Sequence, residues 1–240
     1  EPIVPRALRK EIGERVTADG RVLKAVDTQE AKALVADFQK QGIASLAVCC
    51  INSYENPVNE QALQRIIRET APDLSTSYSF EVLPQIREYE RSCTTAVNAY
   101  VKPVTFQYLE RLTQRLADLG FGGKLYIMLS SGGITSVDTA RKFPVRIIES
   151  GPTAAVIASQ HYGKMFDIKD MFCFDMGGTT AKSCLIQKGH AGLVSTFEVG
   201  RVQRFKKGSG LPIQVPVVDL MEIGAGGGSI AKISSLGLLA

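Results

Sequence analysis

The sequence predicts an α/β layered fold divided into two lobes. Short apolar runs bounded by turn residues alternate with amphipathic helical periodicity from Val16 to Gly133, the pattern of strands interleaved with helices. Past Pro144 the texture changes to an alanine-rich helix followed by successive strands. A lobe boundary is therefore expected near residues 142–148, dividing the chain into residues 1–145 and 146–240. The 240 residues suffice for one large or two modest domains with buried cores.

The elements follow in order. Val16 to Leu23 alternates about Asp19-Gly20, a hairpin signal. Asp27 caps a helix whose apolar face is Ala31, Leu34, Val35 and Phe38 and which stops near Gly42. Ile43 to Ile51 is a short apolar run that suits a buried parallel strand. Asn56-Pro57 opens the next helix, with Asn as cap and Pro in the first turn, and Ala62, Leu63, Ile66 and Ile67 form its apolar face. A helical stretch from about Ile86 to Tyr100 is interrupted by Lys102-Pro103. A second amphipathic helix then carries Phe106, Leu109, Leu112, Leu116 and Leu119.

Lys124 to Leu129 reads as a strand ending in Ser130-Ser131-Gly132-Gly133. Pro152 to Tyr162 is a small-residue helix, and strands follow at Met171 to Asp175 and Ala181 to Gln187. Further strands run to about Glu222, where Gly224-Ala225-Gly226-Gly227-Gly228-Ser229 intervenes.

Composition narrows the function classes. The net charge of +4 is small, and the densest basic cluster (Arg201, Arg204, Lys206, Lys207) is short, so it reads as a solvated loop rather than a nucleic-acid surface. Cys49, Cys50, Cys93, Cys173 and Cys184 form no CxxC pair and read as reduced, packed thiols of a reducing, cytoplasmic compartment. No apolar run approaches a membrane span, and no signal segment is present. His161 and His190 lack metal-ligand spacing, which excludes a binuclear metallohydrolase of the dihydropyrimidinase type. No GxSxG elbow is present. The ends, Glu1 and the apolar Leu236-Gly237-Leu238-Leu239-Ala240, read as those of an excised piece.

Chemistry concentrates in Phe174-Asp175-Met176-Gly177-Gly178-Thr179-Thr180. A buried strand ends in Asp, turns through two glycines and restarts with hydroxyl residues. Glycines let backbone N–H groups approach phosphate oxygens, and Thr179 and Thr180 add donors. Asp175 is placed to hold Mg²⁺ through water. The same pattern also suits an ordinary hairpin in which Gly-Gly merely turns. Ser131, Gly132 and Gly133 at a strand end bind an anion or simply turn. Gly226, Gly227 and Gly228 suit a close backbone approach to a ligand, and Asp219 and Glu222 are acid/base or metal candidates on weaker grounds.

Upstream of that hairpin, Glu149-Ser150-Gly151-Pro152-Thr153-Ala154-Ala155-Val156-Ile157-Ala158 opens a proline-started, alanine-rich helix. Helix, strand and Asp-x-Gly-Gly-Thr hairpin in that order resemble the actin-like (ribonuclease H-like) ATPase superfamily. Further blocks narrow the resemblance: Asn56-Pro57 with Glu60, Glu81 to Arg91, Thr94 to Tyr100, Ser130 to Gly133, Ser150-Gly151-Pro152 and Ile223 to Ala231. Together they look like the hydantoinase A/5-oxoprolinase family across essentially the whole chain.

The resemblance implies an incomplete actin-like ATPase fold: the end of a first lobe and the start of a second. It implies ATP and Mg²⁺ as cofactors and ATP-dependent hydrolysis of a small cyclic amide, such as 5-oxoproline or a hydantoin, in which ATP phosphorylates the amide oxygen before ring opening. The related alternative is the ATP-using subunit of an acetone- or acetophenone-type carboxylase. A non-catalytic actin-like nucleotide-binding module is the alternative of another class. A hydantoinase B-type subunit or fused domain is the implied partner, and a homo-oligomer is compatible with it. Asp175 is carried over as catalytic and metal-holding, with Gly177, Gly178, Thr179 and Thr180 on phosphate. Ser131, Gly132, Gly133, Ser150, Gly151, Gly226, Gly227, Gly228 and Asp219 are candidate substrate or nucleotide contacts. Family members often carry Thr-Ser-Thr-Asp after Gly-Gly, whereas this chain has Thr179-Thr180-Ala181-Lys182, a variant that puts lysine at the acidic position. Lys182 meets a phosphate or carboxylate, or lies on the hairpin surface. The family's second Asp-x-Gly-Gly-Thr is absent from these residues, so the isolated piece is expected to be inactive.

Overall fold

The computed structural model describes residues 3–200, 208–230, 232–235 and 237. The basic cluster Arg201, Arg204, Lys206 and Lys207, together with Ala231, Leu236 and Leu238 to Ala240, lies outside the described residues.

In chain order the elements are β1 (Arg15–Val16), β2 (Val22–Lys24), α1 (Thr28–Lys40), β3 (Ser45–Val48), α2 (Val58–Thr70), β4 (Ser75–Tyr78), α3 (Ser79–Val82) and α4 (Glu88–Asp118). Next come β5 (Tyr126–Met128), β6 (Ile134–Ser136), α5 (Val137–Lys142), α6 (Ser150–Met165), β7 (Met171–Met176) and β8 (Ala181–Gln187). Short strands complete the described chain: β9 (His190–Ala191), β10 (Leu193–Val194), β11 (Phe197–Val199), β12 (Leu211–Ile213), β13 (Val217–Val218) and β14 (Met221–Ile223). The chain divides into two compact units, one of Glu1–Ile127, Thr135–Ile147 and Thr196–Val215, the other of Met128–Ile134, Ile148–Ser195 and Pro216–Ala240.

In the first unit, β1 and β2 form the hairpin expected about Asp19-Gly20, and Gly20 has φ +82°, a conformation glycine adopts without strain. The Asp27 carboxylate accepts from the Glu30 amide and starts α1. β3 pairs parallel with β4, Ser45 opposite Ser75 through Val48 opposite Tyr78. Ala31, Val35, Leu63, Ile66, Ile67 and Tyr78 close a core over that pair. α2 runs from Val58 with Pro57 just before it, and Asn56 caps it as expected: its side-chain oxygen accepts from the Val58 amide at 3.2 Å. The same side chain's amide donates to the Gly20 carbonyl at 2.7 Å, tying the hairpin to the helix start.

A buried polar network runs beneath this core. Glu60 is fully buried and accepts from the Cys50 amide (2.7 Å), the Ser79 hydroxyl (2.6 Å) and the Phe80 amide (3.1 Å). Three donors offset the desolvation a buried carboxylate suffers. Arg91, in the charge-dense stretch from Glu81, is equally buried and donates to the carbonyls of Cys50 (2.8 Å) and Gln85 (3.0 Å).

The expected break at Lys102-Pro103 does not occur. α4 runs unbroken from Glu88 to Asp118 with Pro103 inside it. A proline there withholds the N–H that the Ala99 carbonyl would otherwise accept. The Ser45 hydroxyl of β3 supplies the donor instead, at 2.7 Å. The helix continues because a neighbouring strand satisfies the orphaned carbonyl.

In the second unit, strands are ordered β14-β8-β7, all antiparallel, with β9 also on β8. α6 covers one face, where Val156 packs with Cys173, Cys184, Ile186 and Val218. The alternate residues make the opposite face: Phe172, Phe174 and Met176 of β7, Leu185 of β8, Met221 and Ile223 of β14. All six are exposed, from 43% for Ile223 to 66% for Phe172, and the Phe172 and Phe174 rings stack at 6.5 Å.

All five cysteines are free thiols; Cys50, Cys93, Cys173 and Cys184 are buried, and Cys49 is exposed. Among the described residues no helix is long and apolar enough to cross a membrane.

Candidate functional site

β7 delivers Asp175 to the sheet edge, residues 177–180 turn, and β8 restarts at Ala181 opposite Met176. The Gly177 amide closes the turn on the Thr180 carbonyl at 2.9 Å. The carbonyls of Gly177 and Gly178 face the glycine-rich loop and accept from the amides of Gly227 (2.9 Å) and Gly228 (3.3 Å). That loop is itself pinned, since the Gly226 amide donates to the Ser229 hydroxyl and the Ser229 amide to the Gly226 carbonyl.

Turn carbonyls held on one side leave the amides available on the other. Among the described residues, the amides of Gly178, Thr179 and Thr180 find no acceptor. Three successive free N–H groups beside two threonine hydroxyls make a concave donor set suited to an anion.

The glycines divide by cause. A β-carbon on Gly226 would lie 2.6 Å from backbone atoms of Gly178 and Thr179, so packing requires glycine there. A β-carbon on Gly178 would meet nothing within 4 Å, and the residue has no positive φ. Nothing inside the described chain requires glycine at 178, which leaves its outer surface open to a phosphate-sized group. This cradle fits a nucleotide phosphate, and the exposed Asp175 carboxylate beside it suits a hydrated Mg²⁺, which takes few carboxylates.

Charge crosses the sheet in register. Asp175 lies opposite Lys182, and Lys182 lies opposite Glu222, so the three share one face. Lys182 is not a loose surface lysine. Its ammonium sits 2.7 Å from the Glu149 carboxylate and 3.8 Å from that of Glu222, with a side chain 17% exposed. Asp175 has no ion-pair partner among the described residues.

Glu149 is the residue before α6, and Ser150 and Gly151 form the helix's first turn. Ser130, fully buried, braces this corner: its hydroxyl accepts from the Glu149 amide (3.2 Å), and its carbonyl accepts from the Thr153 hydroxyl (3.0 Å) and the Val218 amide (3.0 Å). Ser131, Gly132 and Gly133 turn between Leu129 and its partner carbonyl at Gly133. Gly132 has φ +89°, and a β-carbon there would press on Ile157 of α6 at 2.9 Å. This segment is thus a turn packed on α6.

The structure therefore brings together Asp175, the 177–180 turn and Gly226 to Gly228, and it links Ser130, Glu149 and Lys182 to them through the sheet. Asp219 stands apart: its amide bonds the Gly192 carbonyl at 2.9 Å, and no hydrogen bond or ion pair among the described residues joins it to the turn. Sequence reasoning missed the role of Glu149, because no spacing rule links it to a lysine 33 positions on.

Comparison with known proteins fits this geometry to a family. The hydantoinase/oxoprolinase family model matches residues 91–239, and its N-terminal-region model matches residues 1–71. The chain belongs to the hydantoinase/oxoprolinase family. The alpha subunit of caprolactamase from Pseudomonas jessenii is 33% identical over 237 residues, covering 99% of this chain and 33% of that protein. The solved structure of the ATP-dependent caprolactamase from that organism superposes with a TM-score of 0.80 at 33% identity, over 98% of this chain and 33% of that one. The 5-oxoprolinase of Saccharomyces cerevisiae is 30% identical over 214 residues, 88% of this chain and 15% of that protein. The nucleotide-free structure of acetone carboxylase shares the α/β fold, with a TM-score of 0.81 at 23% identity over 100% of this chain and 33% of that one. The chain spans about a third of the length of the caprolactamase subunit.

Proposed function

We propose that the protein carrying this chain couples ATP cleavage to hydrolysis of a cyclic amide. In this reading residues 1–145 end a first lobe and residues 146–240 begin a second, and the 177–180 turn is one of two phosphate-binding hairpins. One observation carries the proposal: a turn whose carbonyls are strapped to Gly227 and Gly228 while the amides of Gly178, Thr179 and Thr180 have no acceptor among the described residues, beside the exposed carboxylate of Asp175.

Gly178, Thr179 and Thr180 would hold nucleotide phosphate, and Asp175 would hold a hydrated Mg²⁺. Bound ATP supplies a phosphoryl group that turns a poor amide oxygen into a leaving group. This chain's own part is to fix the phosphates and offset their charge with preorganised donors, which supply their stabilisation without reorganising. The 33% identity to an ATP-dependent caprolactamase favours a cyclic amide over a ketone as substrate. A second subunit or fused domain completes the enzyme in this reading, and the cytoplasm is its compartment. These residues alone are inactive without the second hairpin.

The test is substrate-stimulated ATP hydrolysis by the intact protein, with a lactam, 5-oxoproline, a hydantoin, or a ketone plus bicarbonate. Stimulation by a cyclic amide is expected, with Asp175→Asn lowering turnover by at least about a hundredfold while the fold stays intact. Stimulation by the ketone alone would replace the substrate class. ATP binding that no substrate stimulates would make the protein a nucleotide-binding module instead.

A further inference from the structure

We propose that Glu149 is a positioning residue for Asp175: it holds the Lys182 ammonium against the start of α6 and so keeps the Asp175 carboxylate open to a divalent cation. The inference rests on the phosphate-site reading of the 177–180 turn.

The argument begins with the ladder. Asp175 and Lys182 are paired directly across β7 and β8. Cβ atoms so paired lie about 4.5–5.5 Å apart, well within reach of a lysine side chain. Opposite charges placed that way would normally pair with each other. Here they do not, because the Lys182 ammonium lies 2.7 Å from Glu149 and 3.8 Å from Glu222.

Glu149 can hold the lysine because it is itself held. Its amide donates to the hydroxyl of the fully buried Ser130, and its carbonyl accepts from the Thr153 amide at 3.2 Å. Its carboxylate also stands at the positive end of the 16-residue α6, where a negative charge is favoured. Glu222 is the weaker partner, at the longer distance and 54% exposed.

Without this post the ammonium would be free to turn to the carboxylate opposite. A cation already seated on Asp175 would then compete with Mg²⁺ for the same oxygens. Lysine at position 182 is compatible with a metal-holding Asp175 only while something else occupies the lysine.

The experiment is a titration of the intact protein with Mn²⁺, read by the loss of the free-ion electron paramagnetic resonance signal in the presence of a non-hydrolysable ATP analogue. Glu149→Gln should weaken Mn²⁺ binding by roughly tenfold, an effect of the size expected for one unscreened charge at a part-exposed site. The Glu149→Gln/Lys182→Met double variant should regain the affinity of Lys182→Met alone, and Lys182→Met should bind Mn²⁺ at least as tightly as the wild type. Wild-type affinity in Glu149→Gln, a double variant as weak as Glu149→Gln, or weakened binding in Lys182→Met would each overturn the proposal. The last of these stands even if Glu149→Gln fails to fold. Asp175→Asn separates the two levels: Mn²⁺ binding unchanged in it would sink the phosphate-site reading itself.

Discussion

Gly226 lies so close to the peptide that follows Gly178 that a β-carbon on it would sit 2.6 Å from the carbonyl carbon and oxygen of Gly178. The contact is backbone on backbone, so no side-chain rotation relieves it. Gly226→Ala must push either the glycine-rich loop or the phosphate turn out of place. A loss of about 1–3 kcal/mol in stability is expected, as for other overpacked sites, together with loss of ATP binding. Gly228→Ala is the control, since its β-carbon would meet the Gly178 oxygen at an ordinary 3.5 Å. Thermal unfolding and calorimetric ATP titration of both variants decide the matter; equal behaviour would refute the packing argument.

Gly178 makes the opposite case. Its β-carbon would enter open space, so Gly178→Ala should leave the ligand-free melting temperature unchanged, within about 0.5 kcal/mol. If the free amides around it receive phosphate, the added methyl group obstructs the approach and ATP affinity falls about tenfold or more. Unaltered affinity would show that phosphate does not approach this side of the turn.

Ser45 and Pro103 form a testable pair. Ser45→Ala removes the hydroxyl that donates to the Ala99 carbonyl and should cost about 1–3 kcal/mol. Pro103→Ala returns a backbone N–H to the same carbonyl. The cost of Ser45→Ala should therefore shrink markedly in the Pro103→Ala background, a coupling that urea unfolding of the four proteins measures.

Burial, reinforced by the neighbouring Glu60 carboxylate, pushes the Cys50 thiol well above its ordinary range. The folded thiol keeps its proton where an unfolded one, titrating near about 8.5, loses it. Its contribution to stability is thus fully present below that value and is lost as pH rises beyond it. Urea midpoints at about pH 7 and about pH 10 should fall further for the wild type than for Cys50→Ala. Equal falls would mean the thiol is not desolvated.

Much of this architecture was legible in single residues. Asp27 announced α1, Asp19-Gly20 the first hairpin, and the runs Met171 to Asp175 and Ala181 to Gln187 the two strands around the Gly-Gly turn. What was not legible depends on partners distant in sequence. At Pro103 the carbonyl freed in α4 is met by Ser45, 54 positions away from Ala99. The burial of Glu60 depends on donors from Cys50, Ser79 and Phe80, and a lone glutamate in a helical stretch reads as solvent-facing. At the candidate site the Asp-x-Gly-Gly-Thr turn and Gly226 to Gly228 were visible, but not that these glycines close on the turn's own backbone where a ligand was expected, nor the glutamate that occupies Lys182.

The uncovered face of the β14-β8-β7 sheet has a practical consequence. Phe172, Phe174, Met176, Leu185, Met221 and Ile223 form one contiguous adhesive array, with no charged side chain interleaved along those rows. A polypeptide of these 240 residues handled by itself would be expected to clump at concentrations that spectroscopy needs, and to bind reporter dyes for exposed apolar surface even while properly folded. Dye fluorescence, commonly taken as a sign of misfolding, would here be a property of the native sheet.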